Sequence, residues 1–167
     1  MSKLVYAFTE GDGKNKQLLG GKGANLCEMT QIGINVPPGF VITTEACLEY
    51  LDGGGLPEGL LDEVKANIFS LEEATGKTFG RGSDPLLVSV RSGSALSMPG
   101  MMDTILNLGL NAETLHGLIE QTGDERFAYD AYRRFIQLFG KVALGIGDEH
   151  FDEHFDAVKQ RAGVKAD

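Results

Sequence analysis

The chain has 167 residues, 42% of them hydrophobic and 23% charged. That balance excludes wholesale disorder and suffices for one compact domain or two small ones. Lys and Arg number 15 against 24 Asp and Glu, for a formal net charge of -9. A broad nucleic-acid or anionic-membrane surface is therefore not expected, whereas a local cationic site for phosphate remains open. Cys27 and Cys47 form no CxxC pair and imply no oxidising compartment. The N-terminal Met-Ser-Lys-Leu-Val-Tyr has no apolar signal core, and no apolar run approaches the roughly 20 residues of a spanning helix. The chain reads as cytoplasmic and soluble.

In chain order, Leu4 to Phe8 predicts a strand and Gly11 to Lys16 a turn. Lys22 to Ile32 predicts a helix with Leu26, Met29 and Ile32 or Gly33 on one side and glycines at its entry. Pro37 and Pro38 forbid helix continuation and lead into a strand ending at Ile42. Thr43 or Thr44 is placed to cap a helix from Glu45 to about Asp52, which Gly53 to Gly55 would stop. Pro57 is expected to open the next helix, with Leu60, Leu61, Val64, Ile68 and Leu71 buried and Gly76 ending it. Leu86 to Val90 and Thr104 to Leu108 predict strands around a Ser/Gly/Met loop. From residue 111 the pattern is helical. Asn111 caps Ala112 to Gln121, Asp124 caps Glu125 to about Leu144 with Phe127, Ala131, Phe135, Leu138 and Val142 on one side, and His150 to Arg161 closes the series. The expected fold class is α+β, with a mixed α/β lobe over residues 1–110 and a helical segment over 111–167.

Two segments carry candidate chemistry. In Leu19-Gly20-Gly21-Lys22-Gly23 a lysine lies where glycines lead into a helix. A helix start offers amide donors and the positive end of the dipole to a phosphate, and Lys22 would add a point charge. The spacing is neither a P-loop nor a dinucleotide fingerprint, so a glycine turn with a solvated lysine is the competing reading. In the second segment, the strand Val88-Ser89-Val90 runs into Arg91, Ser92 and Gly93, then a loop with Met98, Gly100, Met101 and Met102 before Asp103 and Thr104. A guanidinium at a strand end suits bidentate phosphate contacts, and a glycine-hinged apolar loop can close over a nucleotide. The competing reading makes the methionines core and Arg91 a surface ion-pair partner. Asp103 would cap or orient the loop, or contact a metal-nucleotide. His150 and His154 lie in Glu-His-Phe-Asp-Glu-His rather than HExxH and read as a polar helix face, so no metal ligands are expected here.

Taken together these segments resemble a known family. Leu19-Gly20-Gly21-Lys22-Gly23-Ala24-Asn25-Leu26 and Val36-Pro37-Pro38-Gly39-Phe40-Val41-Ile42-Thr43-Thr44 resemble the N-terminus of the pyruvate, phosphate dikinases, and the phosphoenolpyruvate synthases share a looser version. Val88-Ser89-Val90-Arg91-Ser92-Gly93 with Ser97-Met98-Pro99-Gly100-Met101-Met102-Asp103-Thr104 looks like the dikinase form, as do Arg126 to Asp130 and Tyr132 to Ile136. The resemblance implies the N-terminal part of an ATP-grasp nucleotide-binding domain. Lys22 and Arg91 match the cations on the ATP phosphates, with Ser92, Gly93, Gly100, Met102, Asp103 and Thr104 in the nucleotide-covering segment. It also implies Mg-ATP as the ligand, with metal ligands outside this chain. The expected partners are the remaining domains of the enzyme: a second ATP-grasp lobe, a phosphohistidine domain and a pyruvate-binding barrel, in a homodimer. Without them the chain is expected to show no turnover, and to expose an apolar patch near Met98 to Met102 that favours self-association. The alternatives are a phosphoenolpyruvate synthase-like ATP-binding domain and a non-catalytic interaction module.

Overall fold

A computed structural model describes residues 2–93 and 103–164. The described residues of Met1–Phe79 and Ser92–Met102 form one compact unit, and those of Gly80–Arg91 and Asp103–Asp167 form another.

In the first unit the strands β1 (Val5–Ala7) and β2 (Phe40–Ile42) pair antiparallel, Val5 opposite Ile42, Tyr6 opposite Val41 and Ala7 opposite Phe40. Side chains alternate across a strand, so this register sends two sets to opposite faces. Tyr6 and Val41 pack with Leu19, Ala24 and Cys27 of α1 (Lys16–Gln31). Val5 and Phe40 pack with Leu4, with Ala46 of α2 (Thr44–Gly53), and with Leu60 and Val64 of α3 (Leu60–Thr75). Two strands of three residues thus separate two cores. A short strand, β3 (Thr78–Phe79), comes after α3.

The α1 helix departs from expectation in start and in face. Asn15 caps it, accepting from the Leu18 amide at 3.1 Å, so it begins six residues before Lys22. The anticipated helix start reappears inside it, because Gly20 has φ 68 and ψ 163 and breaks the ladder. Met29 and Ile32, which the spacing places on one side, are exposed, and the buried residues of the helix are Leu19, Gly20, Gly23, Ala24 and Cys27. Close approach is the reason: a Cβ at residue 23 would lie 2.7 Å from Cγ1 of Val41, so the contact face must be built from small residues. The helix expected from Pro57 begins at Leu60, after Gly59 takes a left-handed φ of 81°, and Leu61 faces solvent.

Glu63, in the first turn of α3, ties that helix to the sheet. Its Oε2 accepts from the amides of Leu4 at 3.0 Å and Val5 at 2.8 Å. A carboxylate that satisfies two backbone donors at once holds β1 where neither strand partner nor water would.

The second unit holds β4 (Pro85–Leu86), β5 (Val88–Arg91), β6 (Thr104–Leu108), α4 (Ala112–Thr122), α5 (Glu125–Leu144) and α6 (Asp148–Ala162). The single strand expected over Leu86 to Val90 is divided at Leu87. The strands β5 and β6 pair antiparallel, Val88 opposite Leu108, Val90 opposite Ile105 and Arg91 opposite Thr104. Between the first two pairs β6 contains one residue more, and it includes Asn107 at φ 59, a residue type that tolerates the left-handed region. Asn111 closes a capping box with Thr114 at the start of α4, and Asp124 caps α5 through the Phe127 amide at 2.9 Å. The core is Leu110, Leu115, Leu118, Ala128 and Ala131. Phe127, the first residue of the apolar recurrence in α5, is exposed, and the small Ala128 and Ala131 are the residues of α5 buried in this core. Lys141 and Asp148 pair across the α5–α6 connection.

Glu63→Ala is expected to cost about 1.5–3 kcal/mol in urea unfolding, since it strands two amide donors. Glu73→Ala, on the exposed side of the same helix, should change stability by less than about 0.5 kcal/mol.

Candidate functional site

In the first unit the candidate site begins at the break in α1. In a continuous helix the carbonyls of Gln17 and Leu18 would accept from the amides of Gly21 and Lys22, the residues four ahead. The φ and ψ of Gly20 lie in a region essentially restricted to glycine and end that ladder. Beyond the break a second helix starts at Gly21, Lys22 and Gly23, presenting amide donors and the positive dipole end. Gly20 and Gly23 are buried whereas Lys22 is exposed. Its Nζ donates to the carbonyl oxygen of Ser92, a residue of the same unit, at 3.3 Å.

Neighbouring side chains brace this break. The Thr44 hydroxyl lies 2.6 Å from the Gln17 carbonyl oxygen and 3.2 Å from that of Leu18. Upstream, Gln31 Nε2 donates to the carbonyls of Phe8 at 3.1 Å and Gly11 at 2.6 Å, holding the turn that leads into α1. Beneath the helix Cys27 is fully buried, and that burial raises its thiol above the ordinary value. The sequence signals Gly20 to Gly23 but neither Thr44 nor Gln31 as a brace, because both reach backbone atoms of residues distant along the chain.

In the second unit Arg91 ends β5 and stands opposite Thr104, the first residue of β6. The two strands therefore converge at Arg91 and Asp103–Thr104, and the segment between them connects their adjacent ends. Arg91 and Asp103 are exposed and Thr104 is half-buried; in the first unit Ser92 and Gly93 are exposed as well. Gly100 and Met102, with the apolar patch expected near Met98 to Met102, lie outside the described residues. Elsewhere exposed apolar side chains are frequent, among them Ile32, Leu51 and Leu61 of the first unit and Phe127, Leu144 and Val158 of the second. Among the described residues no three His, Cys, Asp or Glu side chains are grouped to hold a metal, and no helix is long and apolar enough to cross a membrane. The residues present at the break offer amides and an ammonium, donors that suit phosphate oxygens.

Residues 16–73 match the family described as pyruvate phosphate dikinase, AMP/ATP-binding domain. This stretch is similar to the dikinase ATP-binding family. It contains the Gly20 break, Lys22 and Thr44, and ends before Arg91. Similarity to dikinases extends over nearly the whole chain. It is 60% identical to the pyruvate, phosphate dikinase of Entamoeba histolytica over 98% of its residues. Identity is 57% to that of Giardia intestinalis over 91%, and 52% to that of Clostridium symbiosum over its full length. The chain spans only 17–19% of the length of these relatives, and corresponds to an N-terminal part of them. Plant relatives of similar identity are described as chloroplastic.

Because the dikinase-like helix α1 seats its thiol in a sealed interface, iodoacetamide is expected to label Cys47, which is exposed, and to reach Cys27 only on unfolding. The folded state favours the neutral thiol of Cys27, so this contribution to stability is present below the unfolded thiol value and is lost as pH rises through the higher folded value. Urea midpoints measured across the alkaline range should fall, and the fall should shrink in Cys27→Ala.

Proposed function

We propose that this chain supplies the phosphate-binding portion of an ATP site in a pyruvate, phosphate dikinase with ATP-grasp architecture. The observation that carries the reading is the interrupted α1: a family-matched stretch in which a glycine-only conformation creates an internal helix start with Lys22 upon it. Amides at Gly21 to Gly23 and the Lys22 ammonium would bind phosphate oxygens, the amides as fixed dipoles and the lysine as a mobile charge. Arg91 is the second proposed cation, a planar fork suited to two phosphate oxygens at once. Ser92, Gly93, Gly100, Met102, Asp103 and Thr104 are proposed to cover the nucleotide.

Mg-ATP would supply the phosphoryl group, and in phosphoryl transfer most of the catalysis is charge neutralisation and positioning. The role of these residues is to hold the polyphosphate in place. In the whole enzyme the proposed reaction interconverts ATP, phosphate and pyruvate with AMP, pyrophosphate and phosphoenolpyruvate through a phosphohistidine. The partners are the further domains that carry the second ATP lobe, that histidine and the pyruvate site, in a cytoplasmic homodimer with magnesium bound by residues of those domains. On this reading residues 1–110 form the lobe carrying the phosphate-facing segments, and 111–167 its helical extension.

Calorimetric titration of the chain with Mg-ATP tests this reading. Weak saturable binding is expected, reduced about tenfold or more in Lys22→Ala and in Arg91→Ala, the effect of losing one charge-assisted contact. A folded chain that binds no Mg-ATP, or variants that bind as well as the parent, would overturn the assignment. The purified chain is expected to form no phosphoenolpyruvate from pyruvate, phosphate and ATP.

A further inference from the structure

The paired threonines at the start of α2 divide two tasks. Thr43, fully buried, caps α2 by accepting from the Ala46 amide at 3.2 Å. Thr44, the first residue of the helix, turns its hydroxyl the other way, to the Gln17 carbonyl at 2.6 Å and the Leu18 carbonyl at 3.2 Å. Those two carbonyls are the ones whose partners in an unbroken α1 would be the amides of Gly21 and Lys22. The Gln17 contact is exposed, so water competes with the hydroxyl there, but the Leu18 contact is half-buried, where a carbonyl left without a donor costs about as much as a lost hydrogen bond, so an unbraced break would tend to anneal into continuous helix. Annealing would return the amides of Gly21 and Lys22 to the ladder and remove them from any ligand.

We infer that Thr44 is a positioning residue for the phosphate cradle: by sharing its one hydroxyl hydrogen between the Gln17 and Leu18 carbonyls it keeps α1 broken at Gly20 and the Gly21 and Lys22 amides available to phosphate. The inference rests on the proposed ATP-site reading for its ligand, but its structural half does not. The hydroxyl is the essential group. Valine keeps the shape and removes the donor, whereas serine keeps the donor and removes a methyl. Thr44 touches no reacting atom and acts only through the backbone of residues 17–22.

The test combines hydrogen exchange, resolved to residues 17–24, with Mg-ATP titration of the parent chain, Thr44→Val and Thr44→Ser. In Thr44→Val the exchange protection of residues 17–24 is expected to change by about tenfold with α2 and α3 unaltered, and Mg-ATP affinity to fall about tenfold, one hydrogen bond's worth in each case. Thr44→Ser should restore both. If valine at this position prevents folding, Thr44→Ala replaces it with the same expectation. Unchanged protection of residues 17–24 in the donor-less variant, or a serine variant no better than valine, would overturn the role of Thr44. A parent chain that binds no Mg-ATP while the exchange change persists would instead overturn the ATP-site reading and leave the bracing role standing.

Discussion

The break at Gly20 is the constraint on which the candidate site depends. A residue at φ 68 and ψ 163 cannot continue an α-helix, and no side chain other than hydrogen sits there without strain. One residue therefore converts the middle of a helix into a second start, with the amides of Gly21 to Gly23 in its first turn and Lys22 exposed. Around it the structure supplies what a bare break lacks. Asn15 closes the first turn, Gln31 fixes the approach from β1, and Thr44 takes the carbonyls left behind. Each is a modest interaction, and each acts on backbone atoms on either side of the break.

The same α1 shows why small residues dominate a closely packed helix face. Its contact with β2 is so close that Gly23 faces the Val41 side chain directly, and its other buried positions are glycine, alanine, cysteine and a single leucine. Larger residues would lift the helix away from the sheet and move the break with it. The sheet is minimal, but its register sends Tyr6 and Val41 to α1 and Val5 and Phe40 to the helices opposite. Glu63 holds the edge of β1 to α3, so the strand that supports α1 is itself fixed from behind.

Much of the architecture is legible in local chemistry. The caps Thr43, Asn111 and Asp124, the stop at Gly76, and the strand over Thr104–Leu108 arise from side chains and glycines that act on their own neighbourhood. The departures share a cause. Apolar spacing groups Met29, Ile32, Leu61 and Phe127 with the apolar sides of their helices, yet all are exposed. Periodicity reports where large apolar side chains recur, and where two elements meet most closely the interface is lined by glycine and alanine instead. Pro57 misleads in another way: it suits a first helical turn, but the left-handed Gly59 sets the start at Leu60.

The sequence by itself determined the α+β character, the order of the helices, the glycine–lysine segment and its likeness to the dikinase ATP-binding family, because caps, breakers and motifs are properties of contiguous residues. Only the tertiary structure decided that α1 starts early and breaks at Gly20, that Arg91 stands opposite Thr104, and that Thr44 reaches the carbonyls of Gln17 and Leu18. Those outcomes depend on which backbone atoms meet after the chain has folded back on itself. A hydrogen bond between residues 27 apart leaves no periodic trace in the residues that make it.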